Sequence, residues 1–327
     1  MSANEGLTTT EGAGGPPPPR VVVVTGASSG IGLATALLAA ERGEHVVLLA
    51  RGPESLEEAV EQCRRRGAAT ALALPTDVGD WGSVQAAFTD VVARYGRVDA
   101  VVHSAGQVAY GRFEDVPADV FDHVVHTNLL GSANLARAVL PHMRERDAGH
   151  LVLIGSLIGY IAPPYMSAYA VSKWGVRGLA RVLQVENRDR KGVHIAHLSP
   201  GGVDTPIYVQ AGNYLGQVGR PPPPVVSPEH VARRALRLLD HPRARIQVGP
   251  ANLLTILGFT LMPAVYDRIV TPLFEIAATD VRRQAPEPHG NVFASVPQGN
   301  GLHGDQGSAV ASILAGLRAK LGRPASR

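Results

Sequence analysis

The chain has 327 residues, 45% of them hydrophobic, enough for one large core or two modest ones. Its net charge of +3 is scattered, with no block of five or six like charges, so nothing supports a nucleic-acid partner. Cys63 is the single cysteine, which excludes an internal disulfide and suits a reducing compartment. Seated before Arg64-Arg65-Arg66 on an expected helix, it reads as a spectator thiol. No apolar run precedes Pro16 in the manner of a signal peptide, and no run of uncharged apolar residues is long enough for a spanning helix. The expectation is a soluble cytoplasmic protein.

Residues 1–19 are rich in Gly, Thr and Pro, with too little apolar surface to fold, and read as a disordered arm. Val21-Val22-Val23-Val24 then begins a wholly apolar β-branched run, as in strands buried on both faces of a parallel sheet. Further strands are expected at 46–49, 71–74, 100–102, 151–154 and 194–198, with a last one at 245–248. Helical segments lie between them at about 30–42, 54–66, 81–95, 118–146 and 166–190. Alternation of this kind predicts an α/β fold, a doubly wound parallel sheet (Rossmann-like) of about seven strands flanked by helices. That domain is expected to span 20–250, followed by an apolar helical extension over 251–280 and a largely disordered tail over 281–327.

The first strand runs into Thr25-Gly26-Ala27-Ser28-Ser29-Gly30-Ile31-Gly32. Glycines there let the backbone approach a pyrophosphate, and the N-terminus of the next helix offers it unpaired N–H groups. A glycine-rich loop between the first strand and first helix of a βαβ series is a much stronger dinucleotide signal than the loop alone. The second strand ends at Ala50-Arg51, with no acidic side chain to bond a ribose diol. Arg51 offers a fork that suits a 2′-phosphate and favours NADP(H) over NAD(H), the alternative being a surface arginine in an Arg-rich chain. The third strand delivers Thr76-Asp77-Val78 and the fourth His103-Ser104-Ala105-Gly106 to the same carboxyl edge, where open α/β sheets bind ligands. Asn128 sits in an apolar stretch of the next helix, and Ser156 follows the fifth strand.

Thirteen residues beyond Ser156 comes Tyr169-Ala170-Val171-Ser172-Lys173. A phenol and an ammonium four residues apart share one helix face. A free tyrosine ionises near pH ~10, and a nearby cation favours the phenolate, so the pair reads as a tuned acid/base. The chain has 28 arginines and only three lysines, so a lysine at this position points to a need for a compact ammonium.

Together these pieces resemble the short-chain dehydrogenase/reductase family in its compact single-domain form. The matching residues are Thr25-Gly26-x-x-x-Gly30-x-Gly32, Asn128, Ser156 and Tyr169-x-x-x-Lys173. Pro200-Gly201-Gly202-Val203-Asp204-Thr205 is similar to the family's nicotinamide-carboxamide loop. The resemblance covers about 20–206 and departs at His103, where the family usually has asparagine. It implies cofactor contacts at Gly26, Ser28, Ser29, Gly30, Ile31, Gly32, Arg51, Asp77, Val78, Ser104, Ala105, Gly106, Tyr169, Lys173, Pro200, Gly201, Val203 and Thr205. It further implies that Tyr169 exchanges a proton with a substrate oxygen and that Lys173 lowers its pKa and holds a ribose. Ser156 would orient the carbonyl, and Asn128 would hold a water linking Lys173 to solvent. Ser156 and Tyr169 are thus the expected substrate contacts. No metal is expected, since the histidines form no cluster with ligand spacing.

The stretch 157–168 is apolar and uncharged, which suits a hydrophobic ketone, aldehyde or alcohol; alternatively these side chains simply pack inside. Residues 206–219 read as a mobile flap, 221–224 as a stiff connector and 227–239 as a helix opened by Ser227-Pro228-Glu229. The apolar extension 251–277 has three readings: a cap on the pocket, a subunit interface, or weak peripheral membrane contact. A short amphipathic helix fits 308–321. The reading is an NAD(P)-dependent oxidoreductase, NADPH favoured, and a homodimer or homotetramer by resemblance. The alternatives are an NAD-linked secondary-alcohol dehydrogenase and a non-catalytic dinucleotide sensor.

Overall fold

The computed structural model describes residues 18–285 and 288–304, with the single residues 311 and 314. The N-terminal arm up to residue 17 and nearly all of the helix expected over 308–321 lie outside the described residues. Seven strands form one sheet: β1 (Val21–Thr25), β2 (His45–Ala50), β3 (Thr70–Pro75), β4 (Ala100–His103), β5 (Gly149–Ile154), β6 (Val193–Pro200) and β7 (Arg245–Val248). Their order is β7-β6-β5-β4-β1-β2-β3, with every neighbouring pair parallel. The order reverses between β1 and β4, so a crevice opens beyond the carboxyl ends of those two strands.

Helices cover both faces: α1 (Gly30–Glu41), α2 (Pro53–Arg65), α3 (Trp81–Tyr95), α4 (Ala118–Val125), α5 (Gly131–Arg146), α6 (Ser167–Glu186) and α7 (Pro228–Asp240). Strand β1 shows why its sequence is apolar throughout. Val22 and Val24 enter one cluster with Leu37, Leu56 and Leu236, while Val21 and Val23 enter the opposite cluster with Val84, Leu135 and Val176. Side chains alternate faces along a strand, so a strand covered on both sides needs apolar residues at every position. Full burial of each such side chain contributes about 1.5–3 kcal/mol. Cys63 is buried in the first cluster, and that burial pushes its thiol up to about 12, so it stays a thiol.

The single helix expected over 118–146 is in fact two, α4 and α5, joined by a π-helical turn over His126–Leu130. Asn128 sits in that turn. Its backbone carbonyl accepts from Ser132 Oγ at 2.6 Å, and its buried amide is aimed at the sheet edge. Such turns loosen the i→i−4 ladder and often mark functional positions.

The C-terminal part departs further from expectation. The extension forms α8 (Asn252–Leu261) and α9 (Pro263–Ala277), separated at Met262 where Pro263 opens the second helix. The tail past 281 is not featureless. A strand over Thr279–Gln284 pairs antiparallel with Gln217–Gly219, and residues 288–304 pack onto the crevice. Buried Val292 and the many carbonyls of that segment supply the contacts that a Gly- and Pro-rich composition hides. The expected flap over 206–219 is likewise pinned, because Gly212–Asn213 pairs with Ala109–Tyr110 while Gln217–Gly219 holds the strand just named.

Candidate active site

The crevice is built first by glycines. Gly26 has φ of 64°, and a side chain there would meet Ala105 backbone atoms at 2.9 Å. At Gly32 a Cβ would lie 2.1 Å from the Gly26 carbonyl oxygen, so α1 can enter tightly beneath the loop only without one. Thr25 ties this loop to the end of β4: its hydroxyl accepts from the Ser104 and Ala105 N–H groups, each at 3.1 Å. The same hydroxyl meets His103 Nδ1 at 2.8 Å. His103 thus does structural work where the family usually has asparagine, and burial holds its pKa down at about 3, which keeps it neutral. Ser28, Ser29, Gly30, Ile31, Arg51, Asp77, Val78, Ser104, Ala105, Gly106 and Thr205 all line the crevice. A backbone cradle that rejects side chains, beside a helix N-terminus, suits a pyrophosphate.

The proton-transfer residues converge at the neighbouring cavity. Ser156 caps a short 3₁₀ turn (Leu157–Gly159), accepting from the Ile158 N–H at 3.1 Å, and its hydroxyl also hydrogen-bonds the Tyr169 phenol. Lys173 is 5% exposed, and its Nζ donates to the Ile154 carbonyl at 2.9 Å and lies 5.6 Å from the Tyr169 ring centre. From the Cβ position of Gly106, Asn128 Oδ1 is 3.3 Å away and Lys173 Nζ 3.7 Å, so amide and ammonium are neighbours. The Asn128 amide is fully engaged: it accepts from the Gln107 N–H at 2.7 Å and donates to the Gln107 carbonyl and Ser172 Oγ, each at 2.9 Å.

The electrostatics differ from the sequence expectation. Burial pushes the Tyr169 phenol up to about 12, with the Ser156 hydrogen bond pulling the other way. Burial also brings Lys173 down to about 8. The phenol thus stays above its free value in this structure, because burial disfavours the phenolate just as it disfavours the ammonium of Lys173. A phenol held protonated at neutral pH is in the form that donates a proton, which suits reduction.

The cavity containing Ser156, Tyr169 and Lys173 measures about 560 Å³, within the ~300–1,000 Å³ usual for small-molecule sites. Its walls come from the loop after β5 (Leu157, Ile158, Ile161, Pro163), from Pro200, Gly201 and Val203, and from α8 and α9 through Leu254, Met262, Val265 and Phe274. Tyr165 fixes α9 over that loop, donating its hydroxyl to Glu275 at 3.1 Å and packing on Phe274. Leu253, Leu257 and Leu261, which are not part of that wall, remain exposed on α8. Among the described residues no helix is long and apolar enough to cross a membrane.

Residues 20–213 match the family model described as short chain dehydrogenase. The chain belongs to the short-chain dehydrogenase/reductase family. It is 30% identical over 288 residues to "Uncharacterized oxidoreductase YxnA" of Bacillus subtilis, covering 87% of this chain and 79% of that one. An alcohol dehydrogenase of Thermococcus sibiricus, solved with 5-hydroxy-NADP, aligns at a TM-score of 0.62 and 29% identity over 71% of this chain and 96% of its own. A family member from Burkholderia phymatum, solved with NAD, aligns at 0.67 and 26% identity over 77% and 95%. The protein is accordingly an oxidoreductase of CH–OH and C=O groups that takes a nicotinamide dinucleotide.

Within this family framework the tail forms a strap across the cofactor crevice, where composition predicts a disordered segment. The Gly301 carbonyl accepts from the Gly30 N–H at 2.8 Å and from Ser29 Oγ at 3.0 Å. Arg51 donates to the carbonyls of Val292 at 3.1 Å and Asn291 at 2.6 Å, and Gln107 Nε2 reaches the Val292 carbonyl at 2.6 Å. With the strap in place the crevice retains about 170 Å³. Gln107 was detectable only as the polar neighbour of Gly106; Asn291 and Gly301 carried no signal, because main-chain acceptors are independent of side-chain type.

The two shifted groups give a pH dependence. Carbonyl reduction is expected to decline as pH rises through about 8, where Lys173 loses its charge, while Tyr169 stays protonated to about 12. A pH profile of kcat/KM checks this; a rate that climbs through that range would contradict it.

Proposed function

We propose that the protein is an NADPH-preferring reductase of apolar ketones or aldehydes. The observation that carries this reading is the convergence of Ser156, Tyr169 and Lys173 on an apolar cavity beside the glycine-lined crevice. Bound nicotinamide supplies the hydride. Ser156 orients the carbonyl oxygen, and Tyr169 delivers a proton to that oxygen as negative charge develops on it. Because an alkoxide is far more basic than a phenolate, the transfer runs downhill even from a phenol at about 12. Lys173 supplies the compensating charge for the phenolate left behind, and Asn128, beside it, orders the route by which the proton is replaced. Pro200, Gly201, Val203 and Thr205 serve the nicotinamide end. Helices α8 and α9 cap the substrate, and the enzyme works as a homodimer or homotetramer in the cytoplasm.

Arg51, with no acidic residue at the end of β2, supports the preference for a 2′-phosphate. Arg51→Asp is expected to shift the NADPH-to-NADH ratio of kcat/KM at least ~10-fold towards NADH, since a charge-assisted bond is lost and a like charge gained. An unchanged ratio would remove Arg51 from cofactor selection. The function as a whole is tested by following NADPH and NADH consumption against a panel of ketones and aldehydes.

A further inference from the structure

Arg220 is 3% exposed and lines the same cavity as Tyr169. It follows the strand Gln217–Gly219, and its backbone is held by its own N–H donating to the Ala278 carbonyl at 2.9 Å. Gly219 before it is pressed against the Tyr110 ring, whose carbons lie 2.4 Å from where a Cβ would stand. Tyr110 in turn packs in one cluster with Tyr169 and Phe274. The Arg220 backbone is thereby held in the wall that includes the catalytic phenol.

Two of its donor nitrogens stand unpaired: neither Nε nor Nη1 has a hydrogen-bond partner among the described residues. The carboxylate whose field reaches it, Asp280, is gripped by Arg282 through Nε and Nη2, both at 2.9 Å. Two guanidinium groups thus stand around one carboxylate. Among the described residues no Asp or Glu lines the cavity, and the cations that do are Lys173 and Arg220, of which Lys173 is bound to the Ile154 carbonyl. A buried guanidinium with unsatisfied donors is costly, and such a group in a ligand cavity is satisfied by a ligand anion.

We propose that Arg220 is the carboxylate-binding group of the substrate pocket, so that the substrate is an amphiphilic oxo acid or hydroxy acid. Arg220 lies outside the apolar, uncharged stretch 157–168, so it adds an anion-binding end to a wall that stretch leaves apolar. The planar fork matches a carboxylate in shape, and a single guanidinium balances one negative charge. The apolar body of the molecule lies between the loop after β5 and helices α8 and α9, with its acid end at Arg220. Only the placement of the reacting carbonyl at Tyr169 rests on the reductase reading above.

The test compares medium-chain oxo acids, differing in ketone position, with their methyl esters. At least one acid is expected to exceed its ester in kcat/KM, and Arg220→Gln should cut that acid-to-ester ratio by ~10²-fold, mainly through the acid's KM. A ratio that is the same in the variant would overturn the assignment. Binding of decanoate and of decanol to the unmodified chain, measured by calorimetry, needs neither turnover nor a substituted protein. Decanoate is expected to bind more tightly, with an advantage that Arg220→Lys retains in part; equal or tighter binding of decanol would also overturn it. Decanoate binding without turnover of any carbonyl would refute the reductase reading and leave the anion site standing. Turnover with no preference for acids would do the reverse.

Discussion

Tyr169→Phe is expected to slow carbonyl reduction by ~10²–10⁴-fold, the range associated with loss of a positioned proton donor. The substitution removes one oxygen and keeps the ring, which packs against the cluster of Val108, Tyr110, Met166 and Phe274. The fold and the crevice around Gly26 and Gly32 contain no part of that hydroxyl, so NADPH binding and the thermal midpoint should stay close to those of the parent. The burial that raises the phenol to about 12 also keeps it protonated throughout the neutral range, the form that donates. Ser156 cannot substitute, since a serine hydroxyl is a far weaker acid than a phenol. Steady-state rates alongside NADPH titration decide the matter, and a variant with near-parental turnover would move the proton donor elsewhere.

Ending the chain at Gln284 is expected to raise the association rate of NADPH by ~10-fold or more. The strap holds the crevice through the Gly301 carbonyl on Gly30 and Ser29, the Asn291 and Val292 carbonyls on Arg51, and Val292 buried near Ala109 and Val116. The remaining space of about 170 Å³ is below the ~300–1,000 Å³ of ordinary ligand sites, so entry requires the strap to part. Each hydrogen bond contributes about 0.5–1.5 kcal/mol net, and 1.4 kcal/mol is already tenfold in an opening equilibrium. Val292→Asp should act in the same direction without shortening the chain, because a carboxylate is expelled from an apolar cluster. Stopped-flow binding of NADPH checks both; rates equal to the parent's would mean that the strap does not gate the crevice.

The central sheet was legible in the sequence because a strand covered on both faces must be apolar at every position, as Val21 to Val24 are. The glycine loop, Asn128, Ser156 and the Tyr169–Lys173 spacing were legible because their chemistry fixes residue type as well as position. What escaped depends on partners distant in the chain. The π turn at Asn128 leaves no composition trace, since its residues are ordinary helix residues locally. Arg220 is one arginine among 28, and only its burial in the cavity wall makes it unusual. The strap acts through main-chain carbonyls, which no side-chain pattern encodes. The raised Tyr169 phenol escapes for a related reason: sequence places a cation beside the phenol but says nothing of how much water the folded chain removes.

The most direct test of the reductase assignment is NADPH oxidation by the purified protein over a panel of apolar ketones, aldehydes and oxo acids, run alongside Tyr169→Phe. Substrate-dependent loss of NADPH with formation of the corresponding alcohol is the expected result, nearly abolished in the variant. Saturable NADPH binding with no turnover of any compound on the panel would contradict it and identify a dinucleotide-binding protein without the chemistry.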